Sequence, residues 1–286
     1  MKSITAAAAF ACLAAIAVPA SAQDEQAPAQ TPAQAPAQAT VYDGDYLSVG
    51  VGAGYGPTYD GSDDYTLFPA PIVQGSLGGV KINPRAAGLA VDFVPGPLNL
   101  GVAGRMRKNR ASDIKDPVVE SLGELDTAVE VGPTVGLSLP GVLHQYDSLT
   151  LSVDTRWDVA GAHKGMVVDP SITYFTPLSR GMAASLSLSA EHGDGKYLDY
   201  YYSVTSAQAL ASGLPAFDAA GGGFTKAGGS LLLAFDLDGE LANGGFGLVL
   251  LGAYSRMLGD AKDSPLTSVR GSADQWMGAV GIGYTF

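Results

Sequence analysis

The chain has 286 residues, with 16 basic and 28 acidic side chains, a formal net charge of −12 and a single cysteine. Such acidity leaves no basic stripe to neutralise phosphates, so a nucleic-acid partner is not expected. Cys12 is the one cysteine and lies in the leader described next, so disulfides and thiolate sites are not expected in the mature protein. Thirty-eight glycines with 15% charged residues favour strands and tight turns over helices.

Residues 1–22 have the layout of a secretory signal peptide. Lys2 precedes an apolar run from Ala6 to Val18, and Ala20-Ser21-Ala22 provides a small-residue cleavage site. The run is shorter than the ~20 apolar residues that a transmembrane helix needs. Residues 23–43 follow as an Ala/Gln/Pro-rich tract, which we expect to be a disordered spacer because it cannot bury a core. Residues 44–286 are then left for the folded domain.

The last thirteen residues alternate with a period of two. One face carries Trp276, Val280, Ile282, Tyr284 and Phe286, and the other carries small or polar residues. This pattern is typical of a barrel strand whose apolar face meets lipid. The terminal Phe286, with Tyr284 and Ile282, also resembles the C-terminal signal that outer-membrane proteins present to the barrel assembly machinery. The alternative is the last strand of a soluble sandwich.

Strand length favours the barrel over the sandwich. Residues 148–159 alternate between an apolar face with Leu149, Leu151 and Val153 and a polar face with Thr150 and Asp154. Runs of this kind extend for ~10 to 13 residues, which suits a tilted membrane span, whereas strands of globular proteins usually have ~5 to 6. We place strands near 46–55, 66–74, 77–83, 86–93, 98–107, 127–138, 148–160, 166–176, 182–193, 226–238, 244–257 and 274–286.

The predicted fold class is therefore all-β, a closed antiparallel transmembrane β-barrel of about twelve strands. The third strand is short and rich in glycine, so it is inferred from the need for an even number rather than from its pattern. Short turns at 94–97, 176–181 and 238–244 alternate with longer segments at 107–126, 193–225 and 257–273. Outer-membrane barrels have short periplasmic turns and long outer loops in this alternation.

Several segments resemble the MipA/OmpV family of outer-membrane proteins. These are GAGYGPTYDGSDDY at 52–65, YYSVTSAQALASGLPAF at 201–217, GGGFTKAGGSLLLAFDL at 221–237 and YSRMLGDAKDSPLT at 254–267. The Ala/Gln/Pro spacer departs from the family pattern. The resemblance implies a barrel in the Gram-negative outer membrane, in contact with lipid and lipopolysaccharide. For the namesake of the family it also implies an interaction with a murein-degrading lytic transglycosylase.

Charged residues on the polar strand faces are the candidate functional residues. They are Arg105, Arg107, Glu130, Asp154, Arg156, Asp158, Glu191 and Asp236. They could bind a small solute or set the selectivity of a pore. The favoured interpretation is a structural network in which arginines and carboxylates pair across strands inside a wet lumen.

The outer segment 203–225 carries one charge, Asp218, and several apolar residues, which predicts that it folds into the barrel mouth as a partial plug. Within it, residues 206–212 should form one to two helical turns, with Ser206 as N-cap and Gly213 after the last turn. The tyrosines just before this segment, Tyr197, Tyr200, Tyr201 and Tyr202, are expected to form an outer aromatic girdle.

Two further groups of residues only weakly indicate a metal site or a catalytic site. Asp60, Ser62, Asp63 and Asp64 have the oxygen ligands of a calcium site but not the spacing, so a solvated acidic loop is preferred. His192 with Asp194 could serve catalysis at a barrel mouth, but no GxSxG elbow accompanies the pair. We therefore expect no enzymatic activity, no cofactor and no metal.

Two functions remain open at this point. The first is a non-enzymatic scaffold in the cell envelope, with murein-processing enzymes as partners. The second is a small-solute channel, although twelve strands leave less room than the lumen of a sixteen-stranded porin.

Overall fold

The computed structural model describes residues 40–85, 88–94, 96–110 and 114–286. The predicted signal peptide and most of the predicted spacer lie outside the described residues. Where the description starts, residues Val41–Asp43 form a short 3₁₀ turn that leads into the first strand.

Within the described residues, thirteen strand segments follow one another almost entirely as hairpins. They are β1 (Tyr46–Pro57), β2 (Tyr65–Pro69), β3 (Ile72–Leu77), β4 (Val80–Arg85), β5 (Gly88–Asp92), β6 (Leu98–Arg107), β7 (Ala128–Pro140), β8 (Ser148–Asp158), β9 (Met166–Ser179), β10 (Met182–Gly193), β11 (Gly223–Asp236), β12 (Gly245–Met257) and β13 (Asp274–Thr285). Each pairs antiparallel with its neighbours.

The sheet closes on itself between its two ends. Strand β13 pairs with β1 from Ser48 opposite Thr285 to Tyr55 opposite Gly278. Strands β2 and β3 both pair with β1, one with each half, because the chain is interrupted at Ala70-Pro71. These two segments therefore form one span, and the barrel has twelve spans, which confirms the predicted fold class. Closure between β13 and β1 joins the two ends of the wall, as a lipid surround requires. Among the described residues, β2 pairs with β1 on one side only.

The two faces of the wall follow the predicted alternation. On β8, Leu151, Val153 and Trp157 are exposed on the outside, whereas Asp154 and Arg156 are buried on the lumen side. Such an inverted arrangement, apolar outside and polar inside, is stable only when lipid replaces water around the barrel. No helix among the described residues has both the length and the apolar character needed to cross a bilayer.

Aromatic rings gather on the outer surface near both barrel ends. At the end with the chain termini, Phe246 packs on Tyr284 and Tyr284 on Phe286, with ring centroids 4.8 and 4.7 Å apart. At the opposite end, Tyr254 packs on Trp276 with the centroids 4.7 Å apart. Rings at these two levels are typical of the interfacial girdles of membrane barrels.

Most of the buried apolar residues lie in the loops at the end opposite the termini. We call these loops the outer cap, residues 108–110, 114–127, 194–222 and 258–273. It contains the helices α1 (Pro117–Glu120), α2 (Gly195–Tyr202), α3 (Ser206–Ser212), α4 (Gly259–Asp263) and α5 (Pro265–Ser268). One apolar cluster joins Tyr59, Val119, Val204, Leu214 and Leu266, so three of the cap loops share a core.

Helix α3 matches the predicted helix over 206–212 but begins from a different cap. The Thr205 hydroxyl, not that of Ser206, accepts from the backbone N–H of Gln208 at 3.3 Å, and Gln208 closes a capping box. Gly213 follows the helix with φ of 77°, the left-handed conformation in which glycine carries no Cβ penalty.

Candidate functional site

Lumen-facing charges converge at the outer ends of the strands, directly beneath the cap. Arg105 and Arg107 are two residues apart on β6, so they share its lumen face. The register places Glu130 of β7 opposite Arg105, and Glu191 of β10 opposite Lys226 of β11. Opposite charges on neighbouring strands can therefore pair without any irregular backbone.

Arg107 is the centre of this arrangement and is buried. Its Nε lies 2.7 Å from Oε1 of Glu130, and its Nη2 lies 2.9 Å from Oε2 of Glu191. Its Nη1 lies 3.3 Å from Oδ2 of Asp60, which belongs to the loop after β1. One guanidinium thus ties two strands and a loop together, using the planar fork of donors that distinguishes arginine from lysine.

Further ion pairs extend across the lumen. Arg156 Nε lies 3.3 Å from Glu130, Arg105 Nη1 lies 3.0 Å from Glu191, and Arg85 Nε lies 3.0 Å from Asp154. Arg156 also pairs with Asp169, and Lys226 Nζ is 2.9 Å from Asp60. The ion-pair network consists of five cations, Arg85, Arg105, Arg107, Arg156 and Lys226, and five carboxylates, Asp60, Glu130, Asp154, Asp169 and Glu191. Its formal charges therefore cancel.

Two of the eight predicted lumen charges lie outside this network. Asp158 accepts from the backbone N–H groups of Ala160, Gly161 and Lys164 in the loop after β8. Asp236 accepts from the N–H groups of residues 238–240 in the turn after β11. Both stand at a strand end, where unpaired backbone donors of the adjoining turn need an acceptor. The other six, Arg105, Arg107, Glu130, Asp154, Arg156 and Glu191, are brought together.

Four network members were missed by the sequence analysis: Asp60, Arg85, Asp169 and Lys226. Lys226 could have been found from register, because it stands opposite Glu191. Asp60 was assigned to a solvated acidic loop, and this was wrong, since Lys226 and Arg107 both bind it. Burial alone would raise the pKa of Asp60, but Lys226 and Arg107 hold the pKa below its ordinary value.

The tyrosines of α2 lie over the network and not on the lipid face. Tyr197, Tyr201 and Tyr202 are all buried, and the Tyr200 hydroxyl accepts from the Asp126 N–H of the cap at 2.9 Å. The girdle predicted for these four residues is therefore wrong. Helix α2 begins directly after β10, where Asp194 caps it by accepting from the N–H of Tyr197 at 2.9 Å. The helix therefore turns across the mouth and presents these rings inward, and burial raises the pKa of Tyr197.

The histidines do not form a catalytic pair with Asp194. Because Glu191 occupies the lumen face of β10, the His192 ring packs edge-on against Phe224, with centroids 5.3 Å apart. Asp194 serves as the cap of α2. His163 is buried, with Nε2 3.4 Å from Oε1 of Glu130 and its ring against Tyr197.

The lumen nearer the chain termini is lined largely by neutral hydroxyls, with Asp92 as a buried carboxylate that accepts from the Asn83 amide at 2.7 Å. Pairs of Oγ atoms meet across neighbouring strands, at 3.0 Å for Ser138 and Thr150, 2.8 Å for Ser152 and Ser171, and 2.9 Å for Thr173 and Ser187. The network borders this space, since Arg85 and Asp169 retain 28% and 20% side-chain exposure. No group of three or more His, Cys, Asp or Glu suited to a metal occurs within the described part of the chain. The ion-pair network and the cap above it are suited to bracing and closing the lumen.

Curated proteins and solved structures show at most distant similarity to the chain. No curated protein matches the chain. Among solved structures, it is similar to OprD of Pseudomonas aeruginosa at 10% identity and a TM-score of 0.28, with 88% of this chain and 97% of that chain covered. It is also similar to OpdL of Pseudomonas aeruginosa at 11% identity and a TM-score of 0.26, with 85% and 98% covered.

The family comparison spans nearly the whole barrel. The model described as "MltA-interacting protein MipA" matches residues 49–286, from within β1 to the last residue. This range includes the entire ion-pair network and the outer cap. The chain belongs to the MltA-interacting protein MipA family.

Proposed function

We propose that this protein is a Gram-negative outer-membrane barrel that acts as a scaffold for murein-processing enzymes, and that it is not an open pore. The observation that carries the proposal is the ion-pair network, which crosses the lumen beneath a packed cap. A solute would have to separate buried ion pairs to pass. Removing one partner from a buried pair typically costs ~3 to 5 kcal/mol, because the other charge is left without compensation.

The pairing within the network supports a structural role for its charges. Arg107 already contacts three carboxylates, and Glu191 contacts Arg105, Arg107 and Tyr197. Groups with this many partners have little capacity left for a transported ion. The balance of five cations and five carboxylates also leaves no net charge to attract one.

The cap segments that resemble the family support a structural role for the outer end of the barrel. Leu214, Ala261 and Leu266 of these segments are buried in the cap clusters. They serve the fold at the end that topology assigns to the outside. A periplasmic enzyme would meet the opposite end, where the hairpin turns are short.

The test is binding of the purified lytic transglycosylase MltA to the purified barrel in lipid nanodiscs. We expect saturable binding that an unrelated outer-membrane barrel in matched nanodiscs does not show. A pull-down from solubilised outer membranes, with murein hydrolases and synthases scored by mass spectrometry, extends the test to other enzymes. Enrichment no greater than that of the unrelated barrel would reject the scaffold.

A small-solute channel is the second candidate, and one observation favours it. Arg85 and Asp169 of the network remain partly exposed to the hydroxyl-lined half of the lumen. A movement of the cap could join this space to the outside. Single-channel recording in planar bilayers decides between the two, because a scaffold with a closed lumen should show little conductance and a channel should conduct steadily.

A further inference from the structure

We infer that the turn joining β7 to β8, residues 141–147, is the docking point for the periplasmic partner. It would insert Leu143 and Tyr146 into an apolar pocket rimmed by basic side chains. This inference rests on the proposed scaffold function and names the surface that performs it. We call these seven residues the β7–β8 turn.

A single buried carboxylate holds the β7–β8 turn in one conformation. Asp147 accepts from the backbone N–H groups of Val142, Leu143 and His144 at 2.7, 3.0 and 2.8 Å. The Tyr174 hydroxyl donates to the same carboxylate at 2.6 Å. Gly141 enters the turn with φ of 69°, a left-handed conformation that favours glycine. A turn fixed in this way loses little conformational entropy when a partner binds.

The side chains that this turn displays are apolar. Leu143 is 81% exposed and Tyr146 is 61% exposed, and Val142 beside them is also exposed. Of the neighbouring turns at this end, Gly78-Gly79, Arg180-Gly181 and the sequence DGELANG at 238–244 have the glycine and polar residues usual for water-exposed connections. The turn after β5 is also apolar, but its Phe93 is 55% exposed, less than either Leu143 or Tyr146. Large apolar side chains on a rigid support are typical of interface anchors.

The charge around the turn indicates the chemistry of the partner. At the strand ends and turns of this end, seven carboxylates, those of Asp43, Asp45, Asp92, Asp147, Asp236, Asp238 and Glu240, stand against two cations, Lys81 and Arg180. Arg180 is already paired with Glu240. This end of the barrel is therefore acidic, so a complementary surface has positive charge around its apolar pocket.

The experiment compares the binding of purified MltA to the wild-type barrel and to the double variant L143S/Y146S, both in nanodiscs. Loss of an anchor pair should weaken binding at least ~30-fold, since truncation of an interface hot spot costs ~2 kcal/mol or more and each 1.4 kcal/mol is about tenfold. The control is L237S at the same end, where Leu237 is 60% exposed but lies outside the β7–β8 turn. We expect the control to bind within ~2-fold of wild type.

The outcomes separate the two proposals. If the wild type binds MltA and the double variant binds equally well, the docking inference is wrong and the scaffold stands. If the wild type does not bind, both fall. Higher salt should weaken wild-type binding, because rim charges contribute to association.

A fluorescence measurement tests whether the turn instead anchors in lipid headgroups. Leu143→Trp is introduced after both native tryptophans, Trp157 and Trp276, are replaced by Phe. The emission should be that of a water-exposed indole in partner-free nanodiscs and should shift to the blue when MltA is added. A blue-shifted emission before any addition would show that lipid, and not a protein, covers the turn.

Discussion

The guanidinium of Arg107 lies over the ring of Tyr197, 4.9 Å from its centroid, while the Tyr197 hydroxyl donates to Glu191 at 2.9 Å. Arg107 and Glu191 are themselves paired at 2.9 Å. The side chains of Arg107, Glu191 and Tyr197 thus join three elements, which are strand β6, strand β10 and the cap helix α2. The cation–π contact and the hydrogen bond are both buried away from water. Such contacts are stronger in a buried environment than in water.

Substitutions at Tyr197 should separate the contribution of its ring from that of its hydroxyl. Tyr197→Phe keeps the ring over Arg107 and should cost about 1.5 to 3 kcal/mol for the lost hydrogen bond to a charged group. Tyr197→Ala should cost about 3 to 5 kcal/mol, as expected for deleting a buried aromatic ring. Urea-induced unfolding from lipid vesicles measures both. Leu210→Ala, at a residue of α3 that is 89% exposed, is the control and should be nearly neutral.

Arginine introduced at adjacent positions of β8 should have very different effects. Leu151 faces outward, and Arg there should cost ~2 to 4 kcal/mol because it meets the middle of the bilayer. Thr150 faces the lumen, where its hydroxyl meets Ser138, and Arg there can reach water. Refolding stability in lipid vesicles distinguishes the two variants. Equal losses would show that the assignment of inside and outside is wrong.

The wall of the barrel could be predicted from sequence because its pattern is local. Each strand presents one face to lipid, so a period of two is visible in Leu149, Leu151 and Val153 without knowledge of any neighbour. The same parity identified six network residues. The interruption of the second span at Ala70-Pro71 was not predicted, although Pro71 cannot donate a ladder hydrogen bond.

The cap and its contacts with the network could not be predicted in this way. Asp60 and Lys226 are 166 residues apart, and nothing near either residue specifies the other. Tyr197, Tyr201 and Tyr202 have the composition of a girdle, and their position is decided by the turn into α2 after Gly193. Loop contacts depend on the whole fold. The low charge of 203–225 predicted burial, and the structure buries Val204 and Leu214 but leaves Leu210 exposed.

Loss of the terminal ring should impair assembly. Phe286 packs on Tyr284, is exposed on the outer surface, and donates its backbone N–H to Leu47 at 2.9 Å. Phe286→Asp should reduce the amount of heat-modifiable barrel in outer membranes, because a charge replaces an apolar ring at the lipid boundary. Thr285→Ala is the matched control, since Thr285 faces the lumen toward Ser48. Normal levels of the Phe286→Asp barrel would contradict the role of an assembly signal.

Acid should loosen the contact between two cap loops. Arg270 Nε donates to Asp116 at 2.7 Å, and this hydrogen bond lowers the pKa of Asp116. A carboxylate with a lowered folded pKa stabilises the fold at pH values above its ordinary pKa of about 3.9, and the stabilisation is lost as pH falls through the folded value. Wild type and Asp116→Asn should therefore differ in urea midpoint at pH 7 and converge below about pH 3.9. A difference that persists unchanged in acid would contradict this assignment.

Removal of the cap segment that carries α2 and α3 should open the lumen. The tyrosines over the network lie in α2, so the relevant deletion is residues 195–221, replaced by a short Gly/Ser linker. The barrel should still assemble, because β10 and β11 remain paired from Gly193 opposite Gly223 onward. Single-channel conductance in planar bilayers should rise well above that of wild type.

Excision of residues 206–212 alone is the control, since α3 contributes no buried residue, and it should leave conductance near the wild-type value. A wild type that already conducts like a general porin, unchanged by the longer deletion, would favour the channel over the scaffold.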